Sequence, residues 1–300
     1  MAKVLVTGGA GFIGSHIADV LVKNCRETLI LDNLKTGKKE NINAGAVFRL
    51  ADIREFEAIK PLFDGVDYVF HLAALTSVPF SIENPLETHD VNVNGTLNVL
   101  AAARDAGVKK VILASSSAVY GNIPVLPQHE KLQPSLETPY ALHKFIGENY
   151  CRLFSLLYGM PTVSLRYFNV YGPGMADDSP YSSVMSIFLK QKLSGKPLNI
   201  FGDGSQSRDF VFVDDVVKAN ILAMENDAVG GGDVINIGTG KNRSINELAD
   251  IIGGDKKYLE ARHEIKHSAA DISKAFDVLG WRPEVSFEDG VKAVRKSVGL

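Results

Sequence analysis

Residues 6–14 read Val-Thr-Gly-Gly-Ala-Gly-Phe-Ile-Gly. A β-branched run breaks into glycines and resumes as an apolar helical pattern, which predicts a strand, a tight turn and a helix. Gly8, Gly11 and Gly14 then have distinct tasks: allowing the turn, letting the backbone approach a pyrophosphate, and letting helix and strand pack closely. The helix N-terminus adds N–H donors and a partial positive charge. The spacing is G-x-x-G-x-x-G rather than the better-known G-x-G-x-x-G, and a purely structural glycine turn is the alternative.

Asp32 sharpens the reading. It ends the second β-branched run, 18 residues after Gly14, where a carboxylate accepts hydrogen bonds from an adenosine ribose diol and repels a 2′-phosphate. NAD is therefore expected rather than NADP. Lys35, Lys38 and Lys39 argue for NADP or, more simply, form a solvated loop. Asp52 and Ile53 follow the third run and are placed to meet the adenine edge, with a surface turn as the alternative.

Outward from this stretch, short β-branched runs alternate with helical patterns. Residues 3–7, 28–31, 47–50, 68–72 and 110–114 are predicted strands, and 13–23, 54–63, 91–106 and 139–158 predicted helices, with a sixth strand over 162–168. That alternation predicts an α/β chain with a doubly wound parallel sheet. After Gly172 the rhythm changes: a loop over 175–180, a helix over 182–193, then Gly and Pro punctuation. Strands are expected at 211–213 and 234–237, which could rejoin the main sheet, and short helices at 244–252 and 272–279. The expected division is a nucleotide-binding domain over 1–169 and a smaller substrate domain over 170–300.

Tyr140 and Lys144 stand four residues apart, so they share one face of a helix that Thr138 would cap and Pro139 would open. A phenol ordinarily titrates near 10. A neighbouring ammonium and an oxidised nicotinamide would bring it toward the working range. Ser116, near the end of the fifth strand, can hydrogen-bond the same substrate oxygen. Alone, the pair reads as an ordinary surface pair; after a dinucleotide turn it reads as a hydride- and proton-transfer site on a hydroxyl-bearing carbon.

With 45% apolar and 22% charged residues in 300, the composition is that of a globular protein, and a net charge of −3 offers no basic field for nucleic acid or anionic lipid. No run approaches the ~20 apolar residues of a membrane helix, and the N-terminal run is too soon broken to be a leader. Cys25 and Cys151 are isolated, which predicts reduced thiols in a cytoplasmic protein and no metal site.

The chain resembles an extended short-chain dehydrogenase/reductase of the nucleotide-sugar epimerase branch, close to UDP-galactose and UDP-N-acetylglucosamine 4-epimerases. The resemblance rests on Thr7–Gly14, Asp32-Asn-Leu34, Asp52-Ile-Arg54, His71-Leu-Ala-Ala74, Asn92-Val-Asn-Gly-Thr96, Ser115-Ser-Ser-Ala-Val-Tyr-Gly121, Tyr140 with Lys144, Arg166-Tyr-Phe-Asn169, and Gly202-Asp-Gly204 with Arg208-Asp209. It implies a Rossmann sheet and a retained NAD touching Gly8, Gly11, Phe12, Ile13, Gly14, Asp32, Asn33, Thr36, Gly37, Asp52, Ile53, Leu72, Ala73, Ala74, Tyr140, Lys144 and Tyr167. It implies that Tyr140 takes the 4-OH proton of a UDP-hexose while C4 gives up hydride. The 4-keto sugar then turns over and takes the hydride back on its other face. Ser117 and Ala118 stand where sugar dehydratases of the family carry acids, so dehydration is not expected.

For the substrate, the resemblance assigns Arg208, Arg262 and Asn169 to the diphosphate. It sets Phe201, which reads equally as core, and Asn199 beside the uracil. Ser268 falls where a residue flanks the sugar's C2 substituent, and its small size leaves room for an N-acetyl group. Ser77 and Val78 are a further candidate wall. UDP-glucuronate 4-epimerisation is the alternative within enzymes, and a non-catalytic NAD-binding protein the alternative outside them. A homodimer through the helices at 91–106 and 139–158 is also implied.

Overall fold

The computed structural model describes residues 2–175, 183–261 and 264–300. The chain opens with β1 (Lys3–Thr7), α1 (Phe12–Lys23), β2 (Glu27–Asp32) and β3 (Val47–Leu50). A short α2 (Phe56–Ile59) tightens into a 3-10 turn over Lys60–Phe63 where Pro61 enters, so the helix expected at 54–63 is broken. After β4 (Tyr68–His71) come α3 (Val78–Glu83) and α4 (Pro85–His89). A wide π turn over Asp90–Asn94 joins α4 to α5 (Gly95–Asp105). The helix expected from residue 91 therefore starts earlier, at Pro85. β5 (Lys110–Ser116), α6 (Pro139–Tyr158) and β6 (Thr162–Tyr167) follow their expected positions closely.

These strands join one parallel seven-stranded sheet of order β10-β6-β5-β4-β1-β2-β3, with β10 (Gly231–Ile237) at the far edge. Alternate side chains feed two cores. Val4 and Val6 point toward α1 and α8 (Val213–Glu225), Leu5 toward α5 and α6. Because both faces are covered in the middle of the sheet, β1 and β5 carry continuous apolar runs rather than an alternation, whereas β3 at the edge is largely exposed.

The rest is smaller. β7 (Asn169–Tyr171), β9 (Ser207–Phe212) and β11 (Asn242–Ser244) make a three-stranded sheet, and β8 (Leu198–Phe201) pairs with β12 (Lys256–Leu259). α7 (Val184–Leu193), α9 (Ile245–Ile252), α10 (Ser273–Leu279) and α11 (Phe287–Ser297) complete it. Of the helix expected at 182–193 the described part begins at Val184, capped by Ser183; of the loop expected at 175–180 only Met175 is described.

The two strands expected to rejoin the main sheet part company. The one near 234–237 is β10, hydrogen-bonded to β6, whereas the one near 211–213 is β9, in the small sheet, and Val213 already begins α8. Val213, Val216, Val217, Asn220, Ala223 and Met224 are buried at helical spacing, so a cluster of valines that favours a strand locally is overruled by burial along a helix face. The chain thus leaves the main sheet after β6, visits the smaller part, and returns through α8 and β10.

Candidate functional site

At the C-terminal ends of β1 and β4, where the strand order reverses, the chain leaves an open cavity of about 390 Å³, the usual place for a ligand in an open α/β sheet. Gly8 forms its floor with a φ of +71°; a Cβ there would lie 2.6 Å from the Ala73 nitrogen. At Gly14 a Cβ would lie 2.2 Å from the Gly8 carbonyl oxygen, so helix and turn touch through backbone alone. No side chain caps the N-terminus of α1, which leaves its donors facing the cavity, ready for an anion.

Asp32 is buried and does two things. Its Oδ2 accepts from Ala10 N at 3.0 Å and its Oδ1 from Leu34 N at 2.8 Å, so the carboxylate that borders the cavity also braces the glycine turn. Asn33 donates to Asp52 at 2.8 Å, and Arg54 grips the same carboxylate with two nitrogens, at 3.0 and 2.8 Å. The Arg54 hydrogen bonds hold Asp52 well below the usual carboxylate range. Lys35 lines the cavity as well, with its ammonium paired to Glu87.

Phe12, Ile13, Thr36, Ile53, Leu72, Ala73, Ala74 and Tyr167 all line this cavity together with Gly8, Gly11, Gly14, Asp32, Asn33 and Asp52. Gly37 does not: a Cβ there would meet the Asp32 carboxylate at 2.8 Å, so it backs Asp32 from behind. The loop after β4 is held by two clamps that the motifs alone did not explain. Asn92, in the π turn, exchanges hydrogen bonds with both the N–H and the carbonyl of Leu75, at 2.8 and 2.9 Å. His71 is sandwiched between the hydroxyls of Thr7 and Thr96, at 2.7 and 2.9 Å. Thr96 spends its proton on the Asn92 carbonyl, so it accepts from Nε2–H of a neutral ring. Burial, helped by the Lys144 charge, pushes that imidazole down to about 3.

Tyr140, Lys144 and Ser116 border the same cavity. Thr138 caps α6 by accepting from Ala141 N at 3.2 Å, Pro139 occupies the first turn, and Gly159 ends the helix at φ +64°. The Tyr140 N–H, one of the donors a helix start leaves unpaired, is taken at 3.2 Å by Ser81 of α3. Lys144 Nζ donates to the Ala114 carbonyl at 2.7 Å. Burial lowers Lys144 to about 8, with Glu148 opposing, and raises the Tyr140 phenol to about 12, with the Ser116 hydroxyl opposing. The acidification expected from Lys144 is not seen among the chain's own groups: burial dominates, and the hydroxyl of Ser116 is what opposes it.

A second cavity of about 190 Å³ adjoins the first through Val170 and Met175 and is lined by Asn169, Asn199, Phe201, Gln206, Arg208 and Glu264, among others. Arg208 Nη2 donates to Glu264 at 2.9 Å and Nη1 to the Ser207 carbonyl at 3.0 Å. Asp209 beside it is buried among four donors, from Thr239 N and Oγ1, Gly240 N and Ala270 N, so the strand carrying Arg208 is fixed from behind. Gln206 and Glu264, a polar pair in this cavity, carried no pattern that sequence reading could use.

Two expected substrate contacts stand apart, and a third is not among the described residues. Ser77 caps α3 by accepting from Phe80 N at 3.1 Å and borders neither cavity, although its neighbour Thr76 lines the first. Ser268 is buried, its hydroxyl toward Asp209 N at 3.5 Å, and also lies behind the cavity walls. Arg262 lies outside the described residues. Among the described residues no group of three or more His, Cys, Asp or Glu is placed to hold a metal, and no helix is long and apolar enough to cross a membrane.

The NAD dependent epimerase/dehydratase family model matches residues 4–238. A protein of Methanocaldococcus jannaschii provisionally named a UDP-glucose 4-epimerase is 44% identical, over 97% of this chain and 96% of its own. A UDP-glucuronate 4-epimerase of Thermodesulfobacterium geofontis is 38% identical, over 97% and 94%. The crystal structure of the Thermotoga maritima UDP-glucose 4-epimerase with UDP-glucose superposes with a TM-score of 0.95 at 39% identity, covering 99% of this chain and 98% of that one.

Proposed function

From the premise that this chain belongs to the NAD dependent epimerase/dehydratase family, we propose that it interconverts UDP-glucose and UDP-galactose by inverting C4. It is an NAD-dependent nucleotide-sugar epimerase; the particular hexose, and the residues that handle it, are our reading. The observation that carries the reading is the convergence of Tyr140, Lys144 and Ser116 on the cavity floored by Gly8 and bordered by Asp32.

The cavity suits a dinucleotide. A side chain at residue 8 would fill the turn, the α1 N-terminus offers uncapped donors, and the Asp32 carboxylate favours a free ribose diol. When bound, NAD would supply a hydride acceptor that later returns the hydride, and a positive ring near the phenol. The residues do the rest. Tyr140 removes the sugar 4-OH proton and gives it back, and Ser116 orients the sugar oxygen. Lys144, anchored on Ala114, contributes the cationic field that favours the phenolate. Arg208 and Asn169 face the diphosphate and Phe201 with Asn199 the base, since paired guanidinium donors match phosphate oxygens. Arg262 keeps its proposed diphosphate role by resemblance alone. Ser77 and Ser268 support the pocket from behind, so room for an N-acetyl group would come from the walls in front of Ser268.

Supplying UDP-glucose, UDP-N-acetylglucosamine and UDP-glucuronate separately and resolving the 4-epimers tests the proposal. UDP-galactose should form fastest, with no steady absorbance change at about 340 nm because hydride is returned each cycle. Faster inversion of UDP-glucuronate would favour the second reading, which the Thermodesulfobacterium relative supports. Exposed Leu153, Leu156, Leu157 and Tyr158 on α6, with Ile82 on α3 and Leu86 on α4, two helices packed on α6, support a homodimer. Unpaired Cys25 and Cys151 agree with a cytoplasmic setting.

A further inference from the structure

Behind the proposed catalytic residues, α6 carries a third polar side chain at the same four-residue interval. Glu148 follows Lys144 as Lys144 follows Tyr140, so the three share a face of the helix. They address three consecutive residues at the end of β5: Tyr140 meets the Ser116 hydroxyl, Lys144 the Ala114 carbonyl, and Glu148 the Ser115 hydroxyl at 2.5 Å. Glu148 has a second partner. Arg166 lies opposite Ser115 in the β5–β6 register and donates through Nε and Nη2 to the two carboxylate oxygens, at 2.8 and 2.7 Å, with its guanidinium 4.8 Å above the Tyr120 ring. The side chains of Glu148 and Arg166 are 3% and 4% exposed.

A sealed ion pair of this kind is a poor device for stability alone, because two charges are stripped of water and an apolar pair of similar volume commonly does as well. Here the pair adjoins two of the three residues that do the chemistry. We propose that Glu148, gripped by Arg166, is a positioning residue for the epimerase site: it fixes the Ser115–Ser116 strand end through the Ser115 hydroxyl and supplies the buried countercharge that keeps Lys144 protonated. The inference rests on the roles assigned above to Tyr140, Lys144 and Ser116.

The groups around Lys144 make the countercharge unusually clean. Tyr140 and His143 share its helix and His71 faces it from β4; burial pushes both imidazoles down, to about 4 and about 3, and the phenol up to about 12. Both imidazoles are thus neutral between pH 6 and 10. Glu148 is therefore the neighbouring charge that opposes the desolvation of Lys144, which brings the ammonium to about 8.

The test is an NMR titration of lysines labelled with 13C at Cε, with Lys144 assigned by its disappearance in Lys144→Met, run beside the pH profile of kcat with UDP-galactose. The variants are Glu148→Gln and Glu148→Gln/Arg166→Met, the second removing the risk that a lone buried guanidinium unfolds the chain. In Glu148→Gln the Lys144 midpoint should fall by about one unit and the alkaline limb of kcat should move with it, and in the double variant, which also loses a cation, both should move the same way by less. Ser115→Ala keeps every charge. It should leave the midpoint in place and lower kcat about tenfold with KM unchanged, and Ser115→Thr should restore most of the loss. An unmoved midpoint in either folded Glu148 variant, or full kcat in Ser115→Ala, overturns the inference. Full activity in Tyr140→Phe or Lys144→Met would overturn the underlying reading instead, so the two failures are separable.

Discussion

Lys144 Nζ hydrogen-bonds the carbonyl of Ala114 at 2.7 Å and stands 5.9 Å from the centre of the Tyr140 ring. The lysine is thus tied to the strand end, and the action proposed for it on the phenol is through space. Its influence depends on charge, and the phenol's own burial works against it.

Replacing Tyr140 by Phe removes the proposed proton carrier while keeping the ring's packing. Turnover of UDP-galactose should fall by about 10²–10⁴-fold with little change in KM. Steady-state assays, with thermal midpoints to show that the fold is intact, check this.

Activity and stability should respond to alkali in opposite directions. Burial lowers Lys144 from 10.5 to about 8, so between these values the unfolded chain holds a proton that the folded chain has shed, and stability rises with pH across that window. Below about 8 both forms are protonated and the burial penalty is in force. Relative to Lys144→Met, the wild-type protein should gain on the order of 2 kcal/mol from pH 8 to pH 10, while its kcat declines as the ammonium is lost. Denaturant titrations at both pH values supply the comparison.

Gly8→Ala should cost about 1–3 kcal/mol and most of the retained cofactor. Its φ of +71° disfavours a side chain, and the added carbon would press on Ala73 N, on the far wall of the turn. Cofactor content of the purified variant, read by absorbance after heat release, is the measurement.

Arg208→Gln should raise KM for UDP-sugars about 10–100-fold and leave kcat near its original value, since a charge-assisted pair of donors to the diphosphate is lost far from the reacting carbon. A larger effect on kcat than on KM would place Arg208 in another role.

Leu157→Glu, on the exposed face of α6, should convert a dimer to a monomer in light scattering without unfolding it. A wild-type chain that is monomeric at micromolar concentration would remove the proposed contact.

The first half of the fold was readable because its signals are local. Alternating β-branched and helical periods mark β1 through β6, and Thr138, Pro139 and Gly159 bound α6. The glycine turn and the Tyr140–Lys144 spacing likewise needed nothing beyond the chain itself. Other features depend on partners distant in sequence. α8 hides in a valine-rich stretch whose helical character is decided by packing on α1 and β5. The clamps by Asn92 and Ser81, and the placement of Ser268 behind the cavity walls, follow from segments meeting across 17 to 59 residues. A motif marks such residues without revealing which way they face.

The return of the chain through α8 to β10 has a consequence during synthesis. β6 is finished by residue 167, yet the strand that covers its outer edge spans residues 231–237. For the time taken to translate the intervening stretch, a nascent sheet would present a bare row of amide and carbonyl groups emerging from the ribosome, open to pairing with another chain. Chaperone demand and misassembly should therefore peak on nascent chains stalled in that interval and subside once β10 has docked.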